Sequence, residues 1–254
     1  MPSRKLRIAL QLYSVRDECS KDLFKTLEAV AEMGFEGVEF AGYYGKSAGD
    51  IRDKLRDLGL EIAGAHESIQ KMSGNELEKT LRYNMELGNN KIVIPWLPPE
   101  MRSDKRDWIN SARLISEIAD KAAVQGFRIG YHNHREEFIP VNGEYPWYIF
   151  FDNASRSVFM QLDTGNALSA GIPHTILVET LKRYPNRAQT IHLKDYSHRH
   201  GFVILGEGDV PFKEVLEACR EAGGTEWLIV EQETYPYPPL ESARRCIENL
   251  KKIL

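Results

Sequence analysis

Phe159-Met-Gln-Leu-Asp-Thr-Gly-Asn-Ala-Leu168 is an apolar run of strand length that ends in a carboxylate and a Thr-Gly-Asn turn. Two later stretches repeat the pattern, Thr190-Ile-His-Leu-Lys-Asp195 and Trp227-Leu-Ile-Val-Glu-Gln-Glu233. Their terminal side chains, Asp163, His192 and Glu231, are of the metal-binding or acid–base kind. Successive residues of a strand point to opposite faces, so Gln161 shares a face with Asp163, His192 with Lys194, and Glu231 with Glu233. Polar groups on the inner face at the ends of successive strands indicate one site built by several strands.

The same beat of strand and helix extends outward from there. Strands are expected at 7–13, 36–40, 60–65, 91–94, 127–132, 158–162, 188–193 and 227–230. Helical periodicity follows each, over 23–33, 48–58, 75–87, 105–125, 145–154 (weakly patterned), 175–183, 212–222 and 243–253. Gly34, Gly59, Gly88 and Gly126 close the first four helices. No long polar linker or low-complexity segment interrupts the alternation, which predicts one parallel α/β domain over 1–254. A doubly wound open sheet is the competitor. The count of eight, and the lack of a Gly-x-Gly-x-x-Gly turn after the first strand, favour a closed (β/α)8 TIM barrel. In that fold the site lies at the carboxyl ends of the strands, where the polar residues are.

Composition narrows the function classes. With 254 residues the chain can bury a sizeable core, and a net charge of -4 lacks the broad basic surface of a nucleic-acid binder. Cys19, Cys219 and Cys246 show no zinc-knuckle spacing and suit reduced thiols of a cytoplasmic protein. Arg4, Lys5 and Arg7 precede no long apolar core, so neither a signal peptide nor a membrane span is expected.

Candidate ligands come from the second half: His132 and His134 on strand five, then Asp163, His192 and Glu231. Imidazole and carboxylate donors without thiolate suit one divalent ion, Mn, Mg, Co or Zn, rather than a structural zinc. A hydrogen-bonded strand-end residue accounts for any one of these alone. It accounts poorly for Asp163, His192 and Glu231 together at one depth. His66 and Glu39 close strands three and two, and Gln11 and Trp96 close strands one and four. Each of the four is a candidate substrate contact or an ordinary satisfied polar or packing residue. Lys194 would place a cation at the site, or would pair with Asp195 or Glu207. Gly206-Glu-Gly-Asp209 is no phosphate-binding loop; Glu207 either reaches the barrel mouth or sits in a plain turn.

With these residues in view, the chain resembles the sugar phosphate isomerase/epimerase group of the xylose isomerase-like TIM barrels. The resemblance rests on Gln11-Leu-Tyr-Ser-Val-Arg16, Tyr131-His-Asn-His134, Leu162-Asp-Thr-Gly-Asn166, His192-Leu-Lys-Asp195, Gly206-Glu-Gly-Asp209 and Val230-Glu-Gln-Glu233. It spans essentially the whole chain. It implies a metal held by Glu, Asp, His and Glu from strands five to eight, the last three matching Asp163, His192 and Glu231. The strand-five glutamate of that pattern is His132 here, so the fourth ligand is either His132 or Glu137 reaching back, and Glu137 is preferred because it restores a carboxylate.

The implied activity is a sugar isomerase or epimerase working on a ketose or keto-sugar through a metal-stabilised enediolate, with Glu231 and Glu137 as the proton-transfer pair. His66, His132, His134 and Lys194 would orient hydroxyls. The alternative is a lyase or dehydratase on an inosose or 3-keto-glycoside. An endonuclease-four-like phosphodiesterase and a non-enzymatic sugar-binding barrel are further rivals. The expected partner is a small carbohydrate, with no nucleic acid and no membrane; homo-oligomerisation is left open.

Overall fold

The computed structural model describes residues 6–254; Arg4 and Lys5 lie outside them. Eight parallel strands close on themselves: β1 Arg7–Gln11, β2 Gly37–Phe40, β3 Glu61–His66, β4 Lys91–Ile94, β5 Arg128–His132, β6 Val158–Asp163, β7 Ala188–Leu193 and β10 Trp227–Val230. Each neighbours its predecessor in the chain, and β10 pairs with β1 to complete the ring, Arg7 lying beside Trp227. Between β7 and β10 a small antiparallel hairpin, β8 Asp195–Ser197 and β9 Gly201–Val203, stands apart from the barrel. The helices are α1 Arg16–Glu32, α2 Ala48–Leu58, α3 Gly74–Leu87, α4 Lys105–Ala123, α5 Pro146–Asn153, α6 Thr164–Ser169, α7 Thr175–Arg183, α8 Phe212–Ala222 and α9 Pro239–Ile253. The closed barrel expected from the alternation is what the chain forms.

Strand parity divides the apolar residues into two cores. Outward residues such as Leu10, Val38, Ile92, Ile129, Leu162, Ile191 and Leu228 join the large core under the helices. Ala9, Ala63, Trp227 and Ile229 form a separate cluster inside the barrel. Trp227 is the bulky member of that inner cluster, and alanines on other strands leave room for its ring. Near Trp227, at the amino ends of the strands, the Arg7 guanidinium lies 3.9 Å from the ring centroid. Glu226 there accepts Lys91 at 2.9 Å and Arg128 at 3.3 Å. The interior below the opposite rim is therefore sealed by packing and ion pairs, which leaves the carboxyl ends free for chemistry.

Several boundaries depart from the sequence expectation for local reasons. Helix α1 starts at Arg16 rather than 23, and Asp22 within it has φ -159° and ψ 98°. Its carboxylate accepts the amides of Phe24 and Lys25, each at 3.1 Å, so it caps the segment whose periodicity is visible from Leu23. Strand β1 stops at Gln11 because that side chain accepts the Tyr13 amide at 3.0 Å and turns the chain into a 3-10 helix, Leu12–Val15. Helix α9 begins at Pro239, where proline's missing N–H costs nothing in a first turn. Helix α6 and the β8–β9 hairpin carry no periodicity long enough to be expected.

Burial would raise the Glu226 carboxyl, but Lys91 and Arg128 draw it down to about 2. Because the folded value lies below the unfolded one, this contribution to stability is present above about pH 4.5 and is lost as pH falls toward 2. We expect Glu226→Gln to lower the urea midpoint at pH 7 and to weaken the loss of stability between pH 4.5 and 2. Equal acid limbs for the variant and the parent would contradict the pairing.

Candidate active site

The Leu-Asp-Thr-Gly-Asn turn holds the centre of the site. Asp163 Oδ1 accepts the Asn166 amide at 2.7 Å and caps α6, so only Oδ2 is left to face the barrel axis. Thr164 Oγ1 donates to the Lys194 carbonyl at 2.8 Å, tying the end of β6 to the end of β7. Gly165 is required there, since a Cβ would fall 2.8 Å from that same carbonyl oxygen. On the other side, Asn133 acts as a surrogate peptide: Oδ1 accepts the Asp163 amide at 2.7 Å and Nδ2 donates to the Asp163 carbonyl at 3.1 Å. These bonds extend the β5–β6 ladder one step beyond the strands and fix Asp163 on both sides.

Around Asp163 the barrel gathers His132, His192 and Glu231, whose ligand atoms and its own all lie within 4.8 Å of one another. His192 Nδ1 lies 3.2 Å from Glu231 Oε2 and 3.9 Å from Asp163 Oδ2. Its Nε2 donates to Glu39 Oε2 at 2.6 Å. A carboxylate on one imidazole nitrogen fixes the ring and leaves the other nitrogen for a ligand. Gln161 does the same for a second ring, its Oε1 accepting His132 Nδ1 at 3.1 Å and His66 Nε2 at 2.7 Å. Glu39 also accepts Gln11 Nε2 at 2.7 Å and Gln161 Nε2 at 2.7 Å, and it lies 3.0 Å from His66. A connected polar layer thus underlies the four-residue cluster.

The electrostatics follow from burial and these neighbours. Burial would raise Glu39, yet His66 and His192 hold it far below the usual carboxylate range. Burial would lower His192, but Glu39 and Glu231 push it up to about 10. Burial holds His132 well below the usual imidazole range, and the nearby rings of His192, His66 and His134 add to the effect. Burial raises Asp163 well above its ordinary value, opposed by Lys194 and reinforced by Glu231. Glu231 goes the other way, because Lys194 and His192 outweigh its own burial.

The residues fit a divalent ion. Two imidazoles and two carboxylates converge, and Asp163 Oδ2 is buried without a hydrogen-bond partner among the described residues. A buried, unsatisfied carboxylate oxygen is costly unless something else binds it. His132, Asp163, His192 and Glu231 would hold that ion, which in the usual way would act as a Lewis acid toward a carbonyl oxygen.

Glu137, preferred from the sequence as the fourth ligand and a proton carrier, is not brought here. It sits in a 3-10 turn, Glu136–Phe138, where Oε1 accepts the Tyr131 hydroxyl at 2.7 Å and Oε2 the His134 amide at 2.8 Å. Tyr131 neighbours His132 on β5 and so points outward, against Phe150 and Trp147. The carboxylate follows it to the wrong side of the strand. Glu39 and Gln11, either substrate contacts or satisfied polar groups on the sequence alone, are fully buried and hydrogen-bonded beneath the cluster and do not line the pocket. Glu207 is exposed on a loop whose Gly206 and Gly208 amides bind Asp195 Oδ2 at 2.8 and 2.9 Å. A Cβ at Gly208 would meet Asp195 Oδ1 at 2.4 Å, so the Gly-x-Gly spacing serves this loop anchor. Lys194 pairs with Glu231 at 3.5 Å and with Glu233, not with Asp195 or Glu207.

A pocket of about 310 Å³ opens above the cluster, with His66, Trp96, His132, His134 and Glu231 among its walls, together with Tyr13 and Glu233. Tyr13, Asn133, Gln161 and Glu233 are the site residues that the sequence reading leaves out. Parity placed Gln161 and Glu233 on the inner face, and that signal was sufficient to nominate both. Tyr13 shares parity with Gln11 in the strand expected over 7–13 and was open to the same signal, whereas Asn133 follows the end of β5, where parity no longer applies.

The sequence as a whole places this chain in a known family. The family described as xylose isomerase-like TIM barrel matches residues 27–253, and the chain belongs to it. The inosose dehydratase of Geobacillus kaustophilus (strain HTA426) is 23% identical over 270 residues, covering 89% of this chain and 86% of that protein. Among solved structures, a sugar phosphate isomerase/epimerase from Parabacteroides distasonis ATCC 8503 superposes with a TM-score of 0.82 at 21% identity, over 98% of each chain. The IolI protein, whose structure carries a bound zinc atom, gives a TM-score of 0.78 at 16% identity over 98% of each chain. Among the described residues no helix is long and apolar enough to cross a membrane.

The contrast between His132 and Glu137 is directly testable. We expect His132→Gln to reduce zinc or manganese affinity by about 10–100-fold, as loss of an imidazole donor should. Glu137→Gln should retain metal while losing thermal stability, because its bonds organise the β5 exit. Elemental analysis and melting curves on both variants check this. Metal loss confined to Glu137→Gln would restore the carboxylate assignment.

Proposed function

We propose that this protein is a divalent-metal-dependent enzyme that removes a proton next to the carbonyl of a polyhydroxylated keto-sugar or keto-cyclitol and then expels a β-hydroxyl as water. The observation that carries the reading is the asymmetry of the pocket. Glu231 lines it from β10, while His66, His132 and His134 line it from β3 and the end of β5, where Glu137 is turned away. Epimerisation through two carboxylates needs one on each face of the carbon. Elimination needs one base and an acid for the leaving hydroxyl, and imidazole suits the second task near neutral pH.

Each residue has a defined part. Glu231 takes the proton from the carbon beside the carbonyl, and the electron pair of that C–H bond becomes the new carbon–carbon double bond as the hydroxyl leaves. His134, which lines the pocket, is the donor that completes water from the departing hydroxyl. His66 is held by Gln161 and Glu39 at the pocket wall and orients a substrate hydroxyl. Trp96 and Tyr13 supply aromatic faces for the apolar C–H side of a ring. The bound ion would draw electron density from the carbonyl and stabilise the negative charge that develops there. The name of the inosose dehydratase relative supports dehydration and an inosose-like substrate. The zinc atom of IolI supports zinc among the candidate ions.

Sugar isomerisation or epimerisation on the same pocket is the second reading, and product mass separates the two. Inososes, ketoses and 3-keto-glycosides would be incubated with the protein and Mn, Mg, Co or Zn in deuterium oxide. We expect one substrate to lose the mass of water, with Glu231→Gln inactive. His134→Ala should slow dehydration by about 100-fold or more while deuterium still enters beside the carbonyl. A product that has lost no water, its mass changed at most by deuterium, would exclude dehydration and leave the isomerase reading.

A further inference from the structure

Glu233 is left over when the cluster and its supporting layer are accounted for. It lies two residues beyond Glu231 on the same face, lines the pocket, and keeps 34% of its side chain exposed where Glu231 keeps 7%. Lys194 is its partner. That ammonium is almost wholly buried, with 2% exposure, and contacts Glu233 Oε2, Glu231 Oε2 at 3.5 Å and the face of Phe202 at 4.8 Å. A buried ammonium must be paired, and two carboxylates meet that need here. The lysine is therefore committed to holding these groups, and it is not among the residues that line the pocket.

What reaches the pocket is the other half of the pair. Glu233 Oε1 has no hydrogen-bond partner among the described residues, while Oε2 is fixed by Lys194. A carboxylate oxygen is an acceptor only, so its natural ligand is a hydroxyl donor. Among the described residues the pocket wall contains no lysine or arginine, and both of its carboxylates stand on the β10 side. Apart from the divalent ion that the cluster would hold, an anionic group brought there would meet Glu233 with no side-chain cation in the wall beside it, whereas a neutral polyol presents donors.

We propose that Glu233, held by Lys194, is a specificity-determining residue that accepts a substrate hydroxyl and turns away phosphorylated or carboxylated sugars. This rests on the proposed action on a polyhydroxylated substrate. It assigns the choice between neutral and anionic members of that class to the second glutamate of the Glu-x-Glu pair. Phe202, from the β8–β9 hairpin, acts at one remove by closing the far side of the lysine.

The test uses the zinc-loaded protein, with myo-inositol and inorganic phosphate as probes in calorimetry. Parent protein should bind the polyol more tightly than phosphate, whose only cationic partner there would be the ion. Glu233→Gln should keep its zinc, weaken polyol binding at least tenfold, and bind phosphate more tightly than the parent does because a negative charge is gone from the pocket wall. The double variant Lys194→Met, Glu233→Gln removes both members of the pair and provides a second folded form; it too should bind the polyol weakly. Unchanged polyol affinity in both variants, with zinc retained, would overturn the inference and spare the proposed function. Parent protein that binds no polyol, or binds phosphate as tightly as polyol, would overturn the inference, while the dehydration reading stands or falls on the product mass of a keto substrate.

Discussion

Glu39 is the constraint on which the upper half of the barrel depends. This fully buried carboxylate on β2 is bound by Gln11 from β1, His66 from β3, Gln161 from β6 and His192 from β7. A buried negative charge is tolerable only with such partners, and meeting its demand brings five strands into one register at one height. The same bonds choose the protonated nitrogen of His192 and turn its other nitrogen toward Asp163 and Glu231. Folding and site assembly are in this respect one event.

The barrel keeps its tasks apart along its axis. Trp227 and the Glu226 ion pairs close the amino ends of the strands, and the connected polar layer sits above them. Higher still, the end of each strand is refitted by side chains that imitate backbone. Asn133 extends the β5–β6 ladder, Asp163 caps α6, and Asp195 collects the amides of Tyr196, Gly206, Gly208 and Val210. Fixed loops of this kind let a carboxylate such as Asp163 remain buried with one oxygen unspent.

Much of this was legible in the order of residues. Glycines after amphipathic segments, together with eight apolar runs, define the strand–helix alternation, and parity alone puts Asp163, His192 and Glu231 on the inner face. The helix boundaries that went astray have local causes. Asp22 interrupts α1 with a cap of its own, and Gln11 ends β1 by capping a 3-10 turn, neither of which disturbs hydrophobic spacing.

The sequence by itself determined the closed parallel barrel and the three strand-end groups, because both rest on period-two and period-3.6 patterns that any register must respect. Only the tertiary structure decided the fourth partner and the roles of the rest. Glu137 lies past the end of β5, where parity lapses, and its position depends on Tyr131, a residue whose outward packing cannot be seen one strand at a time. Glu39 looks like a substrate contact in one dimension. It becomes a buried support for His192 only when strands two and seven, 153 residues apart at these positions, face each other across the barrel at 2.6 Å.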